Sequence, residues 1–254
     1  MALKRPFKLI NLGKFAAQVA FITICGCASF NDGNLQHFGF DVLNTSDPEQ
    51  PLDAQTIFPL KSRAKTYLIT QGKGNGNKTV HSCKPTDKYS AAWVNGQGKS
   101  RSEYWRLDEN GSIVMTAAIS YRDQAISFFE PPLTIITKTI KPGQTQQHET
   151  SMRVVDLKNP ARQRLAGKAV ITIHYVDDLL LSTPLGEILT KRIRIVFKAD
   201  LRFADAVTTT TLYVSQDLGV IVKERTEAIS LLGLPPSIDR KTLVLLPKPP
   251  TDSK

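Results

Sequence analysis

Lys191-Arg-Ile-Arg-Ile-Val-Phe-Lys-Ala-Asp-Leu-Arg-Phe203 decides the fold class. Successive side chains of an extended chain point to opposite faces. Ile193, Ile195, Phe197, Ala199, Leu201 and Phe203 therefore share one face, and Arg192, Arg194, Lys198, Asp200 and Arg202 share the other. Only Val196 breaks the alternation. The stretch predicts a long antiparallel strand with one face buried.

The same period of two recurs on either side. Ile113, Met115, Ala117, Ile119 and Tyr121 form one set, and Ala169, Ile171, Ile173 and Tyr175 another. Turn-forming clusters separate the runs: Asp108-Glu-Asn-Gly111, Lys141-Pro-Gly143, Lys158-Asn-Pro160 and Ser215-Gln-Asp-Leu-Gly219. The β-branched run Thr208–Thr211 leads into Leu212-Tyr-Val214, and Val220-Ile-Val222 follows the turn, which predicts a hairpin. Beyond the N-terminus no segment carries a long helical stripe, and short helices are expected near 176–181 or 228–234. The fold expected is mainly β, an antiparallel curved open sheet or a sandwich with minor short helices. Its body runs from 61 to 246. Residues 27–60 are rich in turn formers and read as a tether with a short apolar patch, Phe38–Leu43, able to dock on the body. Residues 247–254 read as a frayed tail.

The chain opens with Lys4, Arg5, Lys8 and Lys14 and no acid among its first 14 residues, followed by the apolar run Phe15–Ile24. A basic segment leading into a short apolar one is the secretory pattern. The run falls short of the roughly 20 residues a spanning helix needs. Ile24-Cys25-Gly26-Cys27 resembles the bacterial lipobox, an aliphatic residue, a small residue, Gly or Ala, then Cys. That resemblance implies a signal peptide over 1–26, acylation of Cys27 and a membrane anchor. Several acyl chains would hold stably, since each buried CH₂ contributes about 0.8 kcal/mol. Ala28 stands where an Asp would signal retention in the inner membrane, so the resemblance implies the outer membrane, facing the periplasm. Ser182-Thr-Pro-Leu-Gly186 and Tyr213–Lys223 resemble recurring turn and strand motifs of uncharacterised bacterial secreted antiparallel β-sheet domains. The curved open sheets of periplasmic lipoprotein carriers are similar in broad pattern. Both likenesses concern fold and carry no chemistry.

The formal charge of the 254-residue chain is +10; taking the leader's four basic residues from 33 leaves 29 against 23 acids, or +6. That excess suits an anionic surface such as lipid headgroups or cell-wall polymer. A secreted address makes nucleic acid an unsuitable partner. With Cys27 acylated, Cys83 is the one remaining cysteine beyond the leader, so no internal disulfide forms and the core must hold the fold.

Few constellations suggest chemistry. Gly72-Lys-Gly-Asn-Gly-Asn-Lys-Thr79 superficially resembles a phosphate loop, but Asn77 stands where Gly must precede the Lys, and Val80–Pro85 is not helical in character. It reads as a hairpin loop. His81 and Cys83 would share one face of a strand, yet His37, His148 and His174 are scattered and no second cysteine pair completes a zinc set. His174 precedes Asp177-Asp178 without a G-x-S-x-G nucleophile turn, so it reads as a solvent-facing strand residue and the acids as the strand's end. Trp93, Tyr104 and Trp105 could stack on sugars or line a membrane edge, though core packing is the commoner role. No cofactor or metal is called.

The row Arg192, Arg194, Lys198 and Arg202 is the most informative surface feature. It reads either as a solvated face paired with acids such as Glu224 and Glu227 on neighbouring strands, or as a cationic face for phosphate, lipid A or cell-wall carboxylates. The function expected is that of an outer-membrane-anchored periplasmic lipoprotein. Its non-enzymatic β domain would bind or scaffold an envelope component: anionic lipid, lipopolysaccharide, cell-wall polymer or another envelope protein. Two alternatives make distinct structural demands. A lipid or lipoprotein carrier needs a sizeable apolar cavity, and an envelope-polymer hydrolase needs a cleft with two carboxylates or a His with an acid.

Overall fold

The alternating segments form strands, and almost every one pairs with the strand before it. The computed structural model describes residues 39–48, 50–231 and 234–248. Cys27, the leader and residues 249–254 lie outside the described residues. The first strands are β1 (Asp41–Ser46) and the two-residue β2 (Leu52–Asp53), followed by a one-turn helix, α1 (Ala54–Ile57). A meander then runs through β3 (Arg63–Gly72), β4 (Lys78–Pro85), β5 (Trp93–Gln97), β6 (Arg101–Leu107), β7 (Ile113–Ser120) and β8 (Ala125–Ile136). After the short β9 (Thr139–Ile140) it continues through β10 (Thr145–Asp156), β11 (Gln163–Thr183) and β12 (Gly186–Leu201). It ends with β13 (Ala204–Ser215), β14 (Gly219–Leu231) and β15 (Ser237–Leu245).

All the pairings are antiparallel, and β15 returns to β3 with Val244 opposite Leu68 and Leu245 opposite Tyr67. That pairing closes β3–β8 and β10–β15 into a twelve-stranded barrel. The described fold is 69% strand and 3% helix, so the mainly β antiparallel reading stands. The open sheet does not, because closure leaves the barrel strands no free edge. Helices expected near 176–181 and 228–234 are also corrected. Residues 176–181 lie inside β11 and 228–231 inside β14. A bulge between Tyr175 and Asp177 lets β11 continue past the paired acids, which do not end it. Beyond the stretch that pairs with β10, the same edge of β11 takes β1, Asp41 lying opposite Ser182 and Ser46 opposite Asp178.

An eight-stranded barrel is just wide enough for its own side chains to fill. Twelve strands enclose more space, and here chain outside the meander fills one end. Leu52, Ala54, Ile57 and Leu60 join the main core with Trp105, Ile113, Ile136, Ile173, Ile193 and Leu212 from around the wall. β2 pairs with β9, and the Ala54 N–H donates to the Lys138 carbonyl at 2.9 Å. Asp53 caps the helix by accepting from the Gln55 N–H at 2.7 Å. Residues 52–60, read from the sequence as tether, are thus a plug. Their apolar side chains recur too briefly among turn formers to announce an element.

Inward and outward faces follow the register. Ile193, Ile195, Ala199 and Leu201 face the core and Arg194, Lys198 and Asp200 face solvent, as the alternation predicts. Elsewhere the inner wall is polar. Opposite Leu212 and Thr210 of β13 stand Lys223 and Arg225 of β14, and β15 answers with Leu243 and Lys241. The barrel interior is therefore divided into an apolar sector under β7–β13 and a charged sector under β3–β6 and β14–β15.

Candidate functional site

The sequence-predicted row separates into unlike members. Arg192 is not free: its guanidinium grips Asp177 of β11 through two bonds, one of 2.9 Å from Nε to Oδ1. Arg194 and Lys198 are exposed on β12, and Arg202 lies in the turn after it, stacked over the Phe203 ring at 5.2 Å. The acids invoked as partners do not serve. Glu224 accepts from the Tyr213 hydroxyl at 3.0 Å, and Glu227 faces inward beside Arg225. Arg192 is neutralised, and the other three are spread along an open convex wall.

Cationic groups converge instead at the plugged end. Lys61, Arg63 and Lys65 alternate at the start of β3, and the β13–β14 turn carries Gly219 beside them. A Cβ on Gly219 would lie 3.2 Å from Lys65 Nζ and 3.6 Å from an Arg63 terminal nitrogen, so the two head groups meet over that glycine. Its φ of +65° is a second reason for glycine there. Lys65 donates to the Leu218 carbonyl. Among the described residues neither Arg63 nor Lys65 forms an ion pair. Burial, then Arg63 and Lys61, bring the Lys65 ammonium down to about 8. Burial likewise lowers Arg63 from its ordinary range. Two neighbouring cations without a carboxylate are an arrangement that an anion would relieve.

These residues line a cleft of about 920 Å³ between the plug, the start of β3 and the ends of β14's turn and β15. Leu60, Leu185, Leu218, Leu245 and Leu246 supply an apolar wall, and Lys61, Arg63, Lys65 and Lys248 a basic one. Asp53 and Asp217 also border it, Asp53 with its carboxylate committed to the helix cap. The volume lies within the roughly 300–1,000 Å³ usual for ligand sites.

Arg63 and Lys65 also line a second, smaller space, a cavity of about 70 Å³ beneath Ile57 and Phe58. It is bordered by Tyr67, His81, Asn95, Glu103, Trp105 and Lys223 among others. Glu103 accepts from Arg101 Nε at 2.8 Å, and that pair with nearby Lys223 keeps its carboxyl low despite burial. Burial brings His81 down to about 3, helped by Lys223, so it is neutral.

The remaining sequence candidates take structural places. Gly72–Asn77 turns between β3 and β4, where Gly76 N–H donates to the Ile69 carbonyl at 2.8 Å. His81 and Cys83 share the inner face of β4, Cys83 being buried. Among the described residues no three His, Cys, Asp or Glu side chains gather to hold a metal. His174 sits on the outer wall against Thr145, Nδ1 to Oγ1 3.0 Å. Asp178 is turned inward, accepting from the Tyr175 hydroxyl at 2.7 Å and from Lys191 at 3.1 Å. Trp105 is buried in the main core, Trp93 packs against that core, and Tyr104 belongs to a small outer cluster with Ala91 and Ile126.

The sequence did carry a signal for the basic cleft. Lys61-Ser-Arg-Ala-Lys65 continues into Tyr67 and Ile69 with the same period, placing the cations on the face that turns inward. No protein-family model, curated protein or solved structure matches the chain.

Proposed function

We propose that the chain is a non-enzymatic envelope protein, acylated at Cys27 and held at the outer membrane facing the periplasm, whose barrel binds an anionic amphiphile at its plugged end. The address rests on the basic, apolar and cysteine-bearing segments of residues 1–28. The ligand class rests on one observation above all: Arg63 and Lys65 meet without a carboxylate beside a leucine-lined wall. An anionic head fits the cations, and an apolar chain fits Leu60, Leu185, Leu218, Leu245 and Leu246.

Two features separate this reading from its rivals. A carrier that hid a whole acyl chain would need a large enclosed apolar space, whereas the cavity beneath Ile57 and Phe58 is about 70 Å³ and bordered by Arg63, Lys65, Glu103 and Lys223. A hydrolase would need two carboxylates or a histidine with an acid acting together, and of the two carboxylates on the cleft Asp53 is committed to the helix cap, leaving Asp217. Dodecyl phosphate titrated into the protein below its micellar concentration should bind saturably. Dodecyltrimethylammonium, with the head charge reversed, should not. Lys61→Gln/Lys65→Gln should weaken dodecyl phosphate binding at least tenfold; equal binding of both detergents, or of both proteins, would refute the cleft. The anchor has its own test. Cys27→Ser should abolish the acyl mass shift and membrane fractionation, and an unchanged mass shift in the mutant would refute acylation there.

A further inference from the structure

The small cavity beneath the plug is bordered by three cationic side chains, Arg63, Lys65 and Lys223, and by one carboxylate, Glu103. Trp105 lines it, and its buried indole N–H has no acceptor among the described residues. A buried donor left without a partner destabilises the fold, and an acceptor placed before it removes that cost. Lys223 borders the same space, and its ammonium has one side-chain partner, Gln97 Oε1 at 3.3 Å. Arg63 and Lys65 add further donors, and the Asn95 side-chain amide donates to Glu103 Oε2 at 3.5 Å. The single carboxylate on the wall, Glu103, is already taken by Arg101 at 2.8 Å. His81 is neutral and sits against the Tyr67 ring at 4.8 Å. Around the cavity Arg225 and Lys241 add positive charge, offset in part by Glu227 and Asp239. The balance is cationic, and burial together with these neighbours brings Lys223 down to about 8.

We propose that this cavity is a binding site for a small oxyanion of the phosphate or carboxylate type, held between the Trp105 indole N–H and the Lys223 ammonium with Asn95 beside them. An acceptor-only guest satisfies the orphan donor and neutralises the ammonium at once. A volume of 70 Å³ admits an anion of that size and no acyl chain. The site is separate from the amphiphile cleft in its diagnostic residues. Trp105, Lys223 and Asn95 border only the cavity, while Lys61 and Leu185 border only the cleft.

The chain's two tryptophans make the test direct. In a Trp93→Phe background Trp105 gives the single indole signal in a proton–nitrogen correlation spectrum. Titration with sodium phosphate, and separately with sodium acetate, should move that signal saturably, with sodium chloride at equal ionic strength as the blank. Whichever of phosphate and acetate acts at lower concentration identifies the oxyanion. The apparent affinity should be higher at pH 6.5 than at pH 9.5, because the Lys223 ammonium must be charged. Lys223→Met should weaken it at least tenfold, and Lys61→Gln should leave it unchanged. Lys223→Met removes the ammonium that burial disfavours and Glu103 in part offsets, and in that variant added phosphate should no longer raise the unfolding temperature as it does in the parent. Should that variant not fold, Asn95→Ala in the same background takes its place. No saturable movement of the Trp105 signal with either anion would overturn the proposal, and so would a titration that the variant leaves intact. A loss in Lys61→Gln alone would assign the anion to the cleft instead.

Discussion

Single residues show how charge is handled differently on the two sides of one wall. Arg192 and Arg194 differ by one strand period, yet only Arg192 has an acid, Asp177, in its grip. Arg192→Gln strands that half-buried carboxylate and should lower stability by about 1 kcal/mol, whereas Arg194→Gln should stay within about 0.5 kcal/mol. Paired denaturation curves test this, and equal midpoints would contradict the contrast. Inside the wall, His81 shows the opposite treatment, being buried as the neutral base. Its usual pKa of 6.5 falls to about 3 in the folded chain, so between those values the unfolded state holds more protons. Stability should therefore decline as pH drops from about 6.5 toward 3, and His81→Asn should flatten that decline. Lys65 and Lys223, each brought down to about 8 from 10.5, act in the same sense at higher pH. The unfolded state binds the extra protons between about 8 and 10.5, so their contribution makes stability rise over that window. Unfolding temperature against pH, for the parent and the Lys223→Met variant, measures it: the variant should rise less steeply.

At the scale of elements, the strands most legible in the sequence are those whose two faces meet opposite environments. β12 announces itself because Ile193, Ile195, Ala199 and Leu201 meet the core while Arg194, Lys198 and Asp200 meet water. β14 misleads for a physical reason. Val220, Val222 and Glu224 alternate as if on one face, but the register shifts between Tyr213 and Val214, leaving Ile221 as the extra residue. That bulge turns Lys223 and Arg225 inward, where a regular strand carrying Val220 inside would have turned them to solvent. The inward turn of Lys223 and Arg225 was hidden by this single shift. The plug was hidden differently, since Leu52, Ala54 and Ile57 have no repeating period and acquire meaning only when a wide barrel needs filling. A chain beginning at Lys61 loses those three buried side chains and the β2–β9 pairing. Burying Leu or Ile is worth about 2–5 kcal/mol each by truncation to Ala, so the shortened chain should lose cooperative thermal unfolding. An unfolding transition as sharp and as high as that of the longer chain would return residues 52–60 to the status of a tether.

For the whole molecule, closure is the property that local reading could not reach. The hairpins are written in turns such as Ser215–Gly219, but the pairing of Val244 with Leu68 joins segments far apart in the chain, and no period marks it. Closure gathers Lys61, Arg63 and Lys65 against the β13–β14 turn and the end of β15. It also sets the exterior against a lipid-facing role for this wall, since Arg or Lys at the bilayer midplane costs about 2–4 kcal/mol in a membrane barrel. Arg194 and Lys198 project outward from the middle of β12. That the plugged end holds an anionic amphiphile is tested by a crystal structure of the protein grown with dodecyl phosphate. The phosphate should lie between Arg63 and Lys65 beside Gly219, with the chain against Leu185, Leu218 and Leu245. Dodecyl phosphate bound instead along Arg194, Lys198 and Arg202 on the outer wall, with the cleft empty, would contradict it.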